Sequence, residues 1–310
     1  MENATRAWDM GVYGYPFRPG DRVLTGRSEY ASNVIALLQL SARHGVEIAV
    51  IEDDEHGQIS LEHLRSELEA GAAMVALTHV PTNGGLVNPA EAVGDLCAEF
   101  GVFYVLDACQ SAGQIPVDVT KVGCDLLSAT GRKYLRGPRG TGFLYVSERA
   151  LETITPPFLD LHAATWTASK RLSGSQRCTP IRELGDELRR KARAGVQQST
   201  THWRWGSTQR ARIMVSAALL RLKLESTVSS RPTRDWRNAA SSPLSSKASR
   251  PDRVQTESPS GGSTCRPRLP LTAPLDLPHR GLDAVVRASV HYYNSEDEIE
   301  RLCAALRNLP

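Results

Sequence analysis

The stretches V-F-Y-V-L-D-A-C-Q (Val102–Gln110) and C-D-L-L-S-A-T-G-R-K-Y (Cys124–Tyr134) carry the decisive reading of this chain. Each opens on an apolar run, Val102–Leu106 and Cys124–Ala129, that reads as a buried strand. Each ends in a group with chemistry to offer. Asp107 closes the first strand, and Lys133 lies in a Thr-Gly-Arg-Lys turn after the second. A lysine amine can bond an aldehyde, and a carboxylate can hold a pyridine nitrogen protonated.

Outward from this pair, the first half of the chain alternates two textures. Apolar runs at Arg22–Thr25, Glu47–Ile51, Met74–Val80 and Phe143–Val146 read as further strands. Between them Tyr30–His44, Leu61–Leu68 and Pro89–Phe100 have helical spacing, with Asn88 as the expected cap and Pro89 as the first helical residue. Strands alternating with helices imply an α/β fold with a mostly parallel sheet flanked by helices. Ligands of such sheets gather at the carboxyl ends of strands, where Asp107 and His79 both fall.

Composition narrows the classes. At 310 residues the chain has room for one large domain and a smaller one, and 41% hydrophobic content suits a buried core. A net charge of +3 is too small to argue for nucleic acid. No apolar run approaches membrane-spanning length, so no membrane partner is expected. The opening M-E-N-A-T-R-A has no basic-then-apolar signal region. The cysteines (97, 109, 124, 178, 265, 303) show no C-x-x-C spacing, which favours neither a metal site nor a disulfide framework and suggests a reduced, cytoplasmic protein.

From Ser199 to Pro274 the texture changes to 14 serines and 13 Lys+Arg against 4 Asp+Glu, with one isoleucine. A basic disordered linker has this composition, but one this long is unusual inside a compact domain. A second explanation is a shifted reading frame over about residues 169–274. With serine as TCN and arginine as CGN, regrouping the codons of Gln198–Gly206 by one base permits V-D-Y-A-L-A-L-G, a helix sequence. The same offset over Ser263–Leu271 permits N-V-S-P, and the protein-like pattern returns after about Leu275.

Lys133 and Asp107 together suit pyridoxal phosphate (PLP), an aldehyde on a pyridine ring. On V-L-D-A-C-Q, T-G-R-K-Y and V-V-R-A-S-V-H-Y-Y-N, the chain resembles the class V, fold-type I PLP enzymes. These include aminotransferases, cysteine desulfurases and isopenicillin-N epimerases. The resemblance is continuous over residues 1–168 and resumes over about 275–310. It implies a PLP-binding large domain (1–168), an atypical segment expected to be disordered or misfolded (169–274), and the remnant of an α+β small domain (275–310). It also implies a missing segment before residue 1 and a homodimer.

The same resemblance assigns roles. Lys133 matches the Schiff-base lysine, Asp107 the partner of the ring nitrogen and Gln110 the partner of the ring hydroxyl. Asn3, Ala4 and Thr5 match a phosphate loop at a helix start, joined by Thr130. Arg132 stands where cysteine desulfurases usually have histidine and can still meet phosphate. Tyr30 matches an aromatic ring over the cofactor face. His79 and Asn83 fall in a loop near the ring hydroxyl, with Asn83 displaced by one position from the desulfurase asparagine. Arg287 matches the arginine that forks onto a substrate carboxylate. Gly137, Gly140 and Gly142 shape a turn behind the cofactor.

These assignments imply a PLP-dependent enzyme acting on a small amino acid. Aminotransfer is the first reading, with cysteine desulfurase or carbon–sulfur lyase action and epimerisation as alternatives. A non-catalytic remnant is another. A nucleotide-binding reading lacks support, since no G-x-G-x-x-G follows a strand and no Walker loop is present.

Overall fold

A computed structural model describes residues 1–82, 86–158, 241–244, 267–268, 274–281, 285–289, 291 and 293–307. The first body runs α1 (Ala4–Val12), β1 (Arg22–Gly26), α2 (Ala31–His44), β2 (Glu47–Ile51), α3 (Leu61–Glu69) and β3 (Met74–Thr78). It continues with α4 (Ala90–Phe100), β4 (Phe103–Asp107), α5 (Val119–Val122), β5 (Leu126–Thr130), β6 (Gly142–Val146) and α6 (Glu148–Thr153). Its strands form one sheet in the order β2-β1-β3-β4-β5-β6. All neighbours are parallel except β5 and β6.

Strand periodicity builds two cores, one on each face. Val75, Leu77, Tyr104 and Leu106 point to the side covered by α3 and α4, where Leu64, Leu68, Val93 and Leu96 are buried with them. Met74, Ala76, Phe103 and Val105 point the other way, against Trp8 and Val12 of α1 and Leu37 and Leu40 of α2. This double burial explains why β3, β4 and β5 read as unbroken apolar runs and not as alternating ones.

Helix starts follow the capping rules except at α2, where Tyr30 makes no side-chain cap, and at α4. Asn3, Ser60 and Ser147 each accept a backbone N–H in the first turn of α1, α3 and α6. At α4 the cap residue is Pro89, and the first helical residue is Ala90. Asn88 does not cap. Its side chain accepts from Ile59 N–H and donates to Thr78 C=O, tying two loops together. Buried loop groups need partners as much as helix ends do, and here the loops claimed the asparagine.

The first two strands lie to one side of the switch between β1 and β3, and β3 to β6 lie to the other. A crevice opens at the carboxyl ends of strands at such a reversal. Beyond this body, β7 (Ser241–Leu244), β8 (Pro267–Arg268) and β9 (Val285–Ser289) form a three-stranded antiparallel sheet with β9 central, followed by α7 (Glu296–Arg307). Both β7 and β8 fall in the stretch of unusual composition.

Candidate active site

One cavity sits at the carboxyl ends of β1, β3, β4 and β5. It gathers the two ends of the decisive stretches, Asp107 and Lys133. Asn3, Ala4 and Thr5 at the start of α1 line it, as do Tyr30, Gln110, Thr130 and Arg132. His79 does not line it. That imidazole is buried with Nδ1 unpartnered, and burial pushes its pKa down to about 4. Asn83 lies outside the described residues, and so does the side chain of Arg287, whose backbone lies in β9.

Lys133 is presented by a loop that closes on itself. Gly137 N–H donates to Gly131 C=O at 2.7 Å, Arg136 N–H to Lys133 C=O at 2.9 Å, and Gly131 N–H to Thr141 C=O at 2.9 Å. Arg136 has φ 58°, a left-handed conformation uncommon for a residue with a side chain. The Lys133 Nζ stands 5.9 Å from the centre of the Tyr30 ring. Amine and aromatic ring therefore face the same space.

Asp107 is buried, and both of its oxygens are engaged. Oδ1 accepts Cys109 N–H at 2.8 Å, and Oδ2 accepts the Asn33 amide at 3.0 Å. The same Asn33 nitrogen lies 3.5 Å from a Glu29 oxygen. Glu29 in turn takes Thr78 N–H at 2.5 Å and meets the Thr78 hydroxyl at 2.6 Å. Burial pushes the Glu29 carboxyl up to about 7, with the Asp107 charge adding to the rise. Neither Glu29 nor Asn33 was singled out in the sequence. The available signal was two polar residues four apart, one just before the Tyr30 cap of α2 and one in its first turn.

The loop after β3 contributes Val80 and Thr82, and Gln110 Nε2 donates to Thr82 Oγ1 at 3.3 Å. Thr82 was not singled out either. Cys109 also lines the cavity, but burial, then the Asp107 charge, raises its thiol well above the ordinary range. It stays protonated and is a poor nucleophile. A further group links the two sheets: Tyr134, next to Lys133, stacks on His291 at 5.4 Å, and His291 stacks on Tyr293 at 4.7 Å. The segment after β9 is thereby brought to the lysine turn.

The site fits PLP. The first N–H groups of a helix lack intrahelical partners. Those of α1 open at the cavity beside the cations Arg132 and Lys133, an arrangement suited to a phosphate. Asn3 lines the cavity while its Oδ1 caps α1 through Arg6 N–H at 2.8 Å. A buried carboxylate, an aromatic ring and an amine surround the remaining space, matching a pyridine ring and an aldehyde. Among the described residues no helix is long and apolar enough to cross a membrane.

A mostly parallel α/β sheet with a lysine and an aspartate at adjoining strand ends defines the large domain of a fold-type I PLP enzyme. The chain belongs to the aminotransferase class-V family, whose model matches residues 1–223 and so runs past the resemblance read up to residue 168. It is 35% identical over 159 residues to a probable cysteine desulfurase of Synechocystis, spanning 50% of this chain and 37% of that protein. A probable cysteine desulfurase of Pyrococcus abyssi is 33% identical over 143 residues, or 46% and 35% of the two chains. The chain thus spans little more than a third of these relatives' length. Among solved structures, the apo cysteine desulfurase of Thermococcus onnurineus superposes with a TM-score of 0.79 at 22% identity, covering 99% of this chain and 77% of that one. The cystine C–S lyase C-DES gives 0.75 at 20% identity, covering 99% and 80%. Both share the fold.

Proposed function

We propose that this chain uses PLP to transform a small α-amino acid, and that the reaction is carbon–sulfur bond cleavage on a cysteine-type substrate. The observation that carries the reading is the placement of Lys133, Asp107 and the α1 N-terminus around one cavity. When bound, PLP supplies an electron sink conjugated to the substrate Cα. Lys133 would hold the cofactor aldehyde, and its amine would carry a proton to or from the substrate Cα. Asp107 keeps the ring nitrogen protonated. Gln110 and Thr82, bonded to each other, offer polar groups to the ring hydroxyl. Tyr30 would cover one ring face, the α1 N–H groups and Thr130 would hold phosphate, and Arg287, by the family resemblance, would grip the substrate carboxylate.

The carbon–sulfur reading draws on the names of the relatives, which are cysteine desulfurases. None of Cys97, Cys109 and Cys124 is an activated thiol that supports a persulfide relay. Burial pushes Cys97 and Cys124 up to about 12, and burial also raises Cys109 well above the ordinary thiol range. Cys178 and Cys265 lie outside the described residues. A lyase that releases sulfur without an enzyme cysteine therefore suits the site better than a desulfurase. Aminotransfer is the second reading, favoured by Arg132 in the place of the desulfurase histidine.

The test adds PLP to purified protein, follows visible absorbance and then reduces with borohydride. A band that borohydride removes, with the PLP mass fixed on Lys133, is the expected result; no band from folded protein supports the remnant. Sulfide and keto-acid release from L-cysteine and L-cystine, against amino transfer to added keto acids, separates the two reactions. The homodimer, the cytoplasmic setting and the shifted frame over 169–274 belong to the same proposal. Size-exclusion chromatography tests the first, cell fractionation the second and the coding DNA the third.

A further inference from the structure

We propose that Asn33 and Glu29 are positioning residues for Asp107: the Asn33 amide, held from behind by Glu29, presents the Asp107 carboxylate to the ring nitrogen of the cofactor. This rests on the PLP reading of the cavity and adds two residues to it. One amide nitrogen bridges two carboxyl groups, lying 3.0 Å from Asp107 Oδ2 and 3.5 Å from Glu29 Oε2. A primary amide has two hydrogens, one for each acceptor.

The bridge is anchored at both ends by backbone. Asp107 Oδ1 accepts Cys109 N–H at 2.8 Å, so the carboxylate is held from two directions and cannot turn about its Cβ–Cγ bond freely. Glu29 accepts Thr78 N–H at 2.5 Å, and Thr78 is the direct register partner of Asp107 across β3 and β4. Asn33, Glu29 and Asp107 are 3%, 3% and 4% exposed, so water does not compete for these bonds. Asn33, Thr78 and Asp107 line the cavity whereas Glu29 does not, so Glu29 stands behind the amide and is tied to the cavity wall through Thr78.

An unpaired buried acid behind Asp107 would repel it. Burial raises the Glu29 carboxyl to about 7, so below that pH it is mostly neutral and can receive the amide without adding a full second charge. A donor to an ionised carboxylate is a strong partner, and losing it frees Asp107 to rotate away from the ring. The bond between Asp107 and a pyridine N–H then weakens, while contacts to phosphate, aldehyde and ring face do not change.

That selectivity supplies the test. The full chain is titrated with PLP and with 1-deaza-PLP, in which carbon replaces the ring nitrogen. In Asn33→Ala, PLP affinity is expected to fall about tenfold, as for one charge-assisted hydrogen bond, and 1-deaza-PLP affinity to change less than about twofold. Glu29→Ala is expected to show the same selective loss, and it decides the matter if Asn33→Ala does not fold. Equal losses for both ligands, or no loss for PLP, overturn the inference, since a merely structural role would act on both alike. If the wild-type chain takes up neither ligand, the cofactor reading falls first and this inference with it.

Discussion

Glu29 shows how one side chain's surroundings become a property of the whole protein. Its carboxyl meets Thr78, Asn33 and Asp107, and burial raises its pKa from 4.5 to about 7. Folding therefore favours its protonated form. That contribution is whole below about pH 4.5 and is lost as pH rises through about 7. A shift of this size corresponds to roughly 3 kcal/mol. Asp53, raised to about 6 chiefly by burial and opposed by Arg27, acts in the same direction. Thermal melts should show wild-type stability falling between pH 5 and pH 8, with a smaller fall in Glu29→Gln. Equal slopes for the two proteins would mean that Glu29 does not titrate as described. At Lys133, replacement by Arg keeps a cation in the loop and removes the nucleophile. Borohydride should then fix no PLP mass on the chain, as peptide mapping would reveal.

At the scale of elements, β6 and the start of α1 form one unit. Gly142 N–H donates to Met1 C=O at 2.8 Å while the strand pairs antiparallel with β5. A Cβ on Gly142 would lie 2.7 Å from Asn3 C and 2.9 Å from Ala4 N, both backbone atoms at the start of α1, where phosphate is proposed to bind. Gly142→Ala must displace that turn, since backbone cannot swing aside as a side chain can. PLP affinity should fall at least tenfold, about 1.4 kcal/mol, while pyridoxal, which lacks phosphate, binds as before. Similar losses for both ligands would show that the whole cavity had moved. The sequence marked Gly142 as a turn-shaping residue and located β6, but its contact with α1 is a meeting of segments far apart in the chain.

Across the whole molecule, the described C-terminal segments are tied to the large domain at two places. One is the ring stack of Tyr134, His291 and Tyr293 beside the lysine turn. The other is a charged cluster near the ends of β1 and β2, where Asp276 and His279 act on Asp53 and Arg27 pairs with Asp53 at 3.6 Å. Next to Asp276, Leu277 is fully buried. Leu277→Ala should destabilise the protein by about 3 kcal/mol through lost burial and a cavity. Limited proteolysis should then cut within 274–281 faster than in the wild type. An unchanged cutting rate would show that this docking contributes little.

The sequence by itself determined the local elements and the chemistry at their ends. Buried strands announce themselves as short apolar runs, and a reactive residue directly after a strand is carried to the sheet's ligand edge. Asp107 and Lys133 were legible for that reason, whereas Gln110, Tyr30, Thr130 and the α1 start were named by the family resemblance. Only the tertiary structure decided which ends became neighbours. Asn33 and Asp107 stand 74 residues apart, and they meet because strand order reverses between β1 and β3. Glu29, Thr78 and Thr82 owe their places to the same reversal, and Asn88 was drawn from a cap to a loop tie by partners in other segments. Periodicity is a property of neighbours along the chain, whereas pairing across a sheet is settled by packing between distant ones.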